Sequence, residues 1–190
     1  MDHLFTPWRY SYVTMADSAT TCIFCDCVPD AASTADIEPR RTDPDNLDLR
    51  NLDVSNLDLS NLDLTHYVVH RGPHCFIILN RYPYTCGHVM IVPYQHLDRL
   101  ELLPLEAANE MMALAQRMEG VLRRLYQPDG INMGINIGKA AGAGVAGHIH
   151  MHVLPRWVAD ANFMSVVGET RVLPESLEET ARRMREALAK

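Results

Sequence analysis

The sequence predicts an α+β domain: an antiparallel sheet of about five strands, with a long helix and a C-terminal helix packed mainly on one face. Three observations carry this. Short apolar runs bounded by turn residues fall at Tyr67–Val69, Cys75–Asn80, His88–Pro93, Ile131–Ile137 and His148–Leu154. A long segment, Pro104–Tyr126, places apolar residues at three- and four-residue spacing, the period of a helix with one buried face. Three strand runs come in succession before that helix and two follow it, rather than alternating strand and helix.

The elements follow in order. Arg71-Gly72-Pro73 and Tyr82–Gly87 supply the turns between the first three strands. In the long helix, Leu105, Ala108, Met112, Leu114, Ala115, Met118, Val121, Leu122 and Leu125 form the expected core stripe. Asp129-Gly130 is a turn into the fourth strand. Leu173–Ala189 reads as the second helix, with Pro174 in its first turn. Its charged residues Glu178, Glu179, Arg182, Arg183 and Arg185 read as solvated surface.

At 190 residues, 47% of them hydrophobic, the chain suits one domain, 1–190, with an elaboration. The net charge of −7 argues against a nucleic-acid partner, and its distribution is uneven. Segment 29–66 holds nine acidic residues and three arginines, whereas the rest holds fifteen acidic and fourteen basic. The body is thus almost neutral and does not repel an anionic ligand. No apolar run reaches the roughly 18 residues of a membrane span, and no basic-then-apolar leader opens the chain. Five cysteines, an odd number, suit a reducing compartment. A cytoplasmic protein is expected.

The acidic segment 29–66 is an insert. Pro29–Asp45 reads as a linker. Residues 46–65 repeat Asn-Leu-Asp-Leu/Val-x four times with a five-residue period. That period fits neither strand nor helix, and resembles pentapeptide repeats that wind a square β-coil. One coil cannot bury its own core, so docking on the sheet edge or on a partner chain is expected.

The chemistry concentrates in Gly147-His148-Ile149-His150-Met151-His152-Val153-Leu154-Pro155. On a strand the three imidazoles share one face, with Ile149, Met151 and Val153 packing behind them. Two uses fit: a metal site shared by i, i+2 histidines, or a nucleophilic histidine attacking phosphorus, flanked by rings that orient it. The small-residue loop from Asn136 to Gly147 lets backbone N–H groups approach an anion and holds no carboxylate, which favours phosphate. Separately, Cys22-Ile23-Phe24-Cys25 is half a zinc site, a redox pair or a chance pair.

His148–Leu154 resembles the motif of the histidine-triad (HIT) nucleotide hydrolases and transferases. Phe76–Pro93 resembles that family's central hairpin. Thr6–Tyr10, Pro155-Arg156-Trp157 and Asn162-Phe163-Met164 resemble the bacterial branch containing diadenosine tetraphosphate phosphorylases. The likeness covers about 5–28 and 67–190. It implies His150 as the nucleophile on an α-phosphorus, His152 contacting phosphate and assisting the leaving group, and His88 supporting the row. It also implies Asn80 on ribose, Asn136 on phosphate or ribose, and the backbone of Gly144 and Val145 around phosphate oxygens. Several branches complete the zinc site with two further histidines, here His96 and His148, giving a structural Cys22/Cys25/His96/His148 set that Cys27 lies close enough to contest. Gly144-Val145 replaces a polar pair of the animal branches, which removes donors to the leaving group. Trp8, Tyr10, Phe76 and Trp157 are candidates for a base pocket or plain core. The expected function is cleavage of a dinucleoside polyphosphate by hydrolysis or phosphorolysis. The alternatives are a phosphoramidase or adenylate-conjugate hydrolase, and a non-catalytic nucleotide-binding module with a partner-binding insert. The family commonly forms homodimers through the long helix and sheet edge.

Overall fold

A computed structural model describes residues 22–28, 59–160 and 174–189. Five strands form one antiparallel sheet in the order β1-β2-β3-β5-β4. They are β1 (Val68–Arg71), β2 (Cys75–Leu79), β3 (Val89–Pro93), β4 (Gly130–Ile135) and β5 (Met151–Arg156). The described helices are α1 (Leu59–His66), α2 (Leu105–Tyr126) and α3 (Leu177–Leu188). This is the α+β architecture expected, with β1 and β4 at the two edges.

Period-two alternation divides the sheet into two chemically different faces. On one, Ile77 and Leu79 of β2, Val89 and Ile91 of β3, and Met151 and Val153 of β5 pack against α2 and α3. On the other, Phe76 and Ile78, Met90 and Val92 pack with Phe24 and Cys27 of the Cys22–Val28 loop. His152 of β5, the preceding His148 and His150, and His88 lie on this second face. Each large apolar side chain so buried contributes about 1.5–3 kcal/mol.

The stripe of α2 matches the one expected from Leu114 to Leu122, with Ala108 and Leu125 at its margin, and differs at its N-terminal end. Ala107, Met111, Leu114, Ala115, Met118, Val121 and Leu122 are buried, while Leu105 is 70% and Met112 53% exposed. Residues 107, 111, 114, 118 and 121 keep a steady 3.6-residue phase, and Leu105 and Met112 fall off its edge. The C-terminal helix starts later than Leu173. Ser176 caps it, its hydroxyl accepting from Glu179 N at 3.3 Å, so Pro174 precedes the helix. Its charged face is also not uniformly solvated. Arg183 turns in to Glu175 and to the Leu125 carbonyl, and Arg185 donates to the carbonyls of Val68 and Asp63.

The insert departs from expectation where it is described. Residues 29–58 lie outside the described residues. The last repeat unit, Asn61–Thr65, is helical within α1 rather than part of a β-coil. A one-turn coil has no stacked neighbour to satisfy its backbone, whereas a helix closes its hydrogen bonds internally. α1 sits beside β1, the edge strand.

Candidate active site and metal centre

The histidine row begins one step ahead of its strand. The β5 ladder pairs Met90 with His152 and Ile91 with Met151, and His148 and His150 lie just before it. Extended chain continues there because other groups take over the pairing: Ile149 N donates to Leu97 O at 2.6 Å. The three rings therefore still share one face. His148 and His150 are almost fully buried, and His152 is half-buried.

Each ring's tautomer follows from its partners, because a carbonyl only accepts and an N–H only donates. His150 Nδ1 lies 2.8 Å from the His148 carbonyl, so Nδ1 carries the proton and Nε2 carries the lone pair. Burial lowers the His150 pKa, partly offset by that hydrogen bond, so the ring is neutral near pH 7. His88 Nδ1 accepts from Tyr84 N at 3.1 Å and from Asn80 Nδ2 at 3.3 Å. His88 therefore donates from Nε2 to His152 Nδ1, 2.9 Å away. That leaves His152 Nε2 as its proton-bearing nitrogen. His150 and His152 meet edge-on, their ring centres 4.9 Å apart. The arrangement presents a lone pair and an N–H donor side by side, the pair suited to nucleophilic attack with a hydrogen bond to the leaving oxygen.

The turn before β3 supports this chain of rings. Gly87 has φ +82°, and a Cβ there would come within 2.9 Å of Tyr126 Cε2. Only glycine fits both demands. Asn80 is buried; its Oδ1 accepts from Tyr82 N at 2.9 Å while its amide faces His88. In this structure it orients His88. Val145 packs against the Phe24 cluster on the histidine face, and Gly144 before it is half-buried. Asn136 follows β4 and is half-buried, as is Trp157, whose N–H donates to Asp160 at 3.2 Å. Phe76 is wholly buried core; the sheet leaves it no open side on which to stack a base. Trp8, Tyr10, Thr6–Tyr10 and Asn162–Met164 lie outside the described residues.

Cys22, Cys25, His96 and His148 converge, their ligand atoms all within 4.8 Å of one another. Cys22 Sγ is 3.4 Å and Cys25 Sγ 3.7 Å from His148 Nδ1, and Cys25 Sγ is 3.2 Å from His96 Nδ1. Tetrahedral zinc, with bonds of about 2.0–2.3 Å, holds its donors roughly 3.3–3.8 Å apart. His148 donates its Nε2–H to the Pro93 carbonyl at 2.9 Å, which turns the Nδ1 lone pair toward the thiols. Burial is the main cause of a His148 pKa near 4. Burial, then the neighbouring Cys22, pushes the Cys25 thiol up to about 12. A cation among these donors reverses that balance in favour of thiolate. Cys27 does not join them: its thiol donates to the Ile23 carbonyl at 3.1 Å and is buried in the apolar cluster.

Three groups in this site went unread in the sequence. Phe24 lies 5.4 Å from the His148 ring and 5.0 Å from the His150 ring, joining the two centres. The Tyr84 N–H fixes the His88 tautomer. Arg71 donates to the Cys27 carbonyl. Only Phe24 left a signal, as the apolar residue within Cys-x-x-Cys.

With this geometry in place, likeness to known proteins becomes informative. An AP-4-A phosphorylase of Mycobacterium tuberculosis is 45% identical over 116 residues, 60% of this chain and 59% of that protein. A bis(5'-adenosyl)-triphosphatase of Dictyostelium discoideum is 35% identical over 81 residues, 43% of this chain and 54% of that one. The chain thus spans less than two thirds of either relative. A crystal structure of a Zn-bound histidine triad family protein from Mycobacterium smegmatis superposes with a TM-score of 0.54 at 32% identity, covering 64% of this chain and 83% of that one. The HIT domain profile matches residues 61–158, which contain the sheet, the long helix and the histidine row, and the chain belongs to the HIT domain family.

Proposed function

We propose that the chain cleaves a dinucleoside polyphosphate by nucleotidyl transfer through His150. The observation that carries this is the His150 Nδ1–H held by the His148 carbonyl at 2.8 Å, which commits Nε2 to its lone pair. His150 Nε2 attacks the α-phosphorus, a P–N bond forms, and the bond to the bridging oxygen breaks. The nucleoside polyphosphate departs as an anion, its former bridging oxygen stabilised by a hydrogen bond from His152 Nε2–H. Water or inorganic phosphate then attacks the phosphorus, the P–N bond breaks with its electron pair returning to His150 Nε2, and the proton of attacking water passes to solvent. His88 acts by holding the His152 tautomer. The backbone of Gly144 and Val145 cradles phosphate oxygens, Asn136 contacts phosphate or ribose, Asn80 contacts ribose, and Trp157 flanks the base. The AP-4-A phosphorylase and bis(5'-adenosyl)-triphosphatase relatives support this substrate class.

Zinc is proposed at Cys22, Cys25, His96 and His148. The donor spacing and the Zn-bound relative support it. These four donors would fill a tetrahedral zinc ion's coordination, so that zinc would serve there as a cross-link. A cytoplasmic setting keeps its thiols reduced. A homodimer is proposed through α2 and β4: Leu105, Met112 and Met133 are exposed apolar residues there.

The test is incubation of the full chain with diadenosine tetraphosphate, with and without phosphate. ADP plus ATP in phosphate marks phosphorolysis; AMP plus ATP marks hydrolysis. Absence of both product pairs would refute the reading. Light scattering on the same preparation reads the oligomeric state.

A further inference from the structure

The repeat insert has no place in the reaction above, yet its last unit reaches the metal-ligand loop. Asp63, the acidic residue of that unit, accepts from Arg71 Nε at 2.9 Å and from Arg71 Nη2 at 2.6 Å. The same Nη2 donates to the Cys27 carbonyl at 2.7 Å. Arg71 is 12% and Asp63 25% exposed, so this is not a solvent-screened pair. Asp63 is itself held: Arg185 of α3 donates to its main-chain carbonyl at 2.8 Å. A continuous path therefore runs from α3 through α1 and β1 into the Cys22–Val28 loop.

The loop needs such a hold. Its internal bonds are short-range: Asp26 N to Cys22 O, Cys27 N to Phe24 O, and Val28 N to Cys25 O. Cys27 ends the 3-10 turn Cys25–Cys27, where carbonyls lack a partner within the turn. A guanidinium satisfies one such carbonyl and a carboxylate at once, which an ammonium cannot do with the same rigid fork. Cys22, Phe24 and Cys25 all ride on this turn, so its placement sets both the thiols and the aromatic ring on His150.

We propose that Asp63 and Arg71 form a clamp by which the last repeat unit positions the Cys22–Val28 loop for metal binding. They are positioning residues, not ligands. The proposal rests on the zinc reading above. It gives the insert a role: its terminal helix pre-orders one half of the ligand set, and so lowers the ordering that binding would otherwise require.

The test is zinc affinity of the full chain, read by competition with a chromophoric chelator, for the parent, Asp63→Ala, Arg71→Lys and the double variant. The clamp predicts zinc binding about 10-fold weaker in each single variant, since supporting contacts of a metal site carry about 10–100-fold in affinity. It predicts no further loss in the double variant, because both act through one contact. Amide exchange at Cys27 and Val28 quickens in the apo variants, while circular dichroism at saturating zinc matches the parent and the unfolding temperature falls by no more than the weaker zinc binding accounts for. Parent-like affinity in both single variants overturns the clamp alone. A parent that binds no zinc overturns the zinc reading and the clamp with it. Unfolding of both variants at saturating zinc assigns the contact to the fold in general, and also overturns the proposal.

Discussion

His148 and His152 stand four residues apart on one extended segment and are chemically opposite. His148 donates from Nε2 to the Pro93 carbonyl and turns a Nδ1 lone pair to the thiols. His152 accepts at Nδ1 from His88 and carries its proton on Nε2. The first is suited to a cation, the second to a leaving group. Neither role belongs to the histidine itself. Each is set by what occupies the other ring nitrogen. His150 lies between them and takes its tautomer from the His148 backbone, so the thiol end and the donor end share one central imidazole.

The comparison breaks most completely at its midpoint. His150→Ala removes the lone pair, and steady-state turnover of diadenosine tetraphosphate falls at least about 10⁴-fold. Nucleotide binding by calorimetry persists. Turnover within 10-fold of the parent would remove His150 from the nucleophile's role.

At the metal end, chelation of zinc, or Cys25→Ser, lowers unfolding free energy by about 3–4 kcal/mol at zinc concentrations near 1,000 times Kd. Denaturant melts with and without chelator read this. At the other end, His88→Ala leaves His152 without its donor, and kcat falls about 10²-fold, the scale of a lost hydrogen bond to developing charge. The metal-dependent gain in stability stays intact. Equal losses of zinc affinity and kcat in that variant would show that the two ends are not separable.

The smallest expected effect lies outside both ends and serves as their control. Burial disfavours ionised Glu175, but its hydrogen bonds from Tyr126, Arg183, Thr180 and Cys86 outweigh it and hold the carboxyl near 2 rather than 4.5. A depressed folded pKa means that the stabilisation is complete above the unfolded value and lost as pH falls from about 4.5 toward 2. The loss is about 1–2 kcal/mol after allowance for solvent screening. Glu175→Gln flattens that part of the stability profile and leaves turnover near neutral pH unchanged.

The fold was legible where alternation was clear. The apolar runs at 75–80 and 88–93 became β2 and β3 almost residue for residue because both faces of those strands are buried. The α2 stripe was read correctly from Leu114 to Leu122 but not in its first two turns, because exposed Leu105 and Met112 look like core to a residue-type count. The start of α3 was missed although Ser176-x-x-Glu179 is a capping pattern. The histidine row, the Cys pair and His96 were all legible from spacing and resemblance. What was not legible is how main-chain groups act. No residue type announces that the Tyr84 N–H, the Pro93 carbonyl and the His148 carbonyl fix three tautomers. The helical state of the last repeat was hidden for a different reason: a five-residue period says nothing until its neighbours are known.

The central claim is that His150 Nε2 bonds to phosphorus. The direct measurement is an alkaline quench within the first turnover on diadenosine tetraphosphate, followed by peptide mass spectrometry. The account predicts an adenylate adduct on the peptide bearing His150, lost in His150→Ala. Active enzyme that carries the adduct on His152, or on no histidine at any quench time, would contradict it.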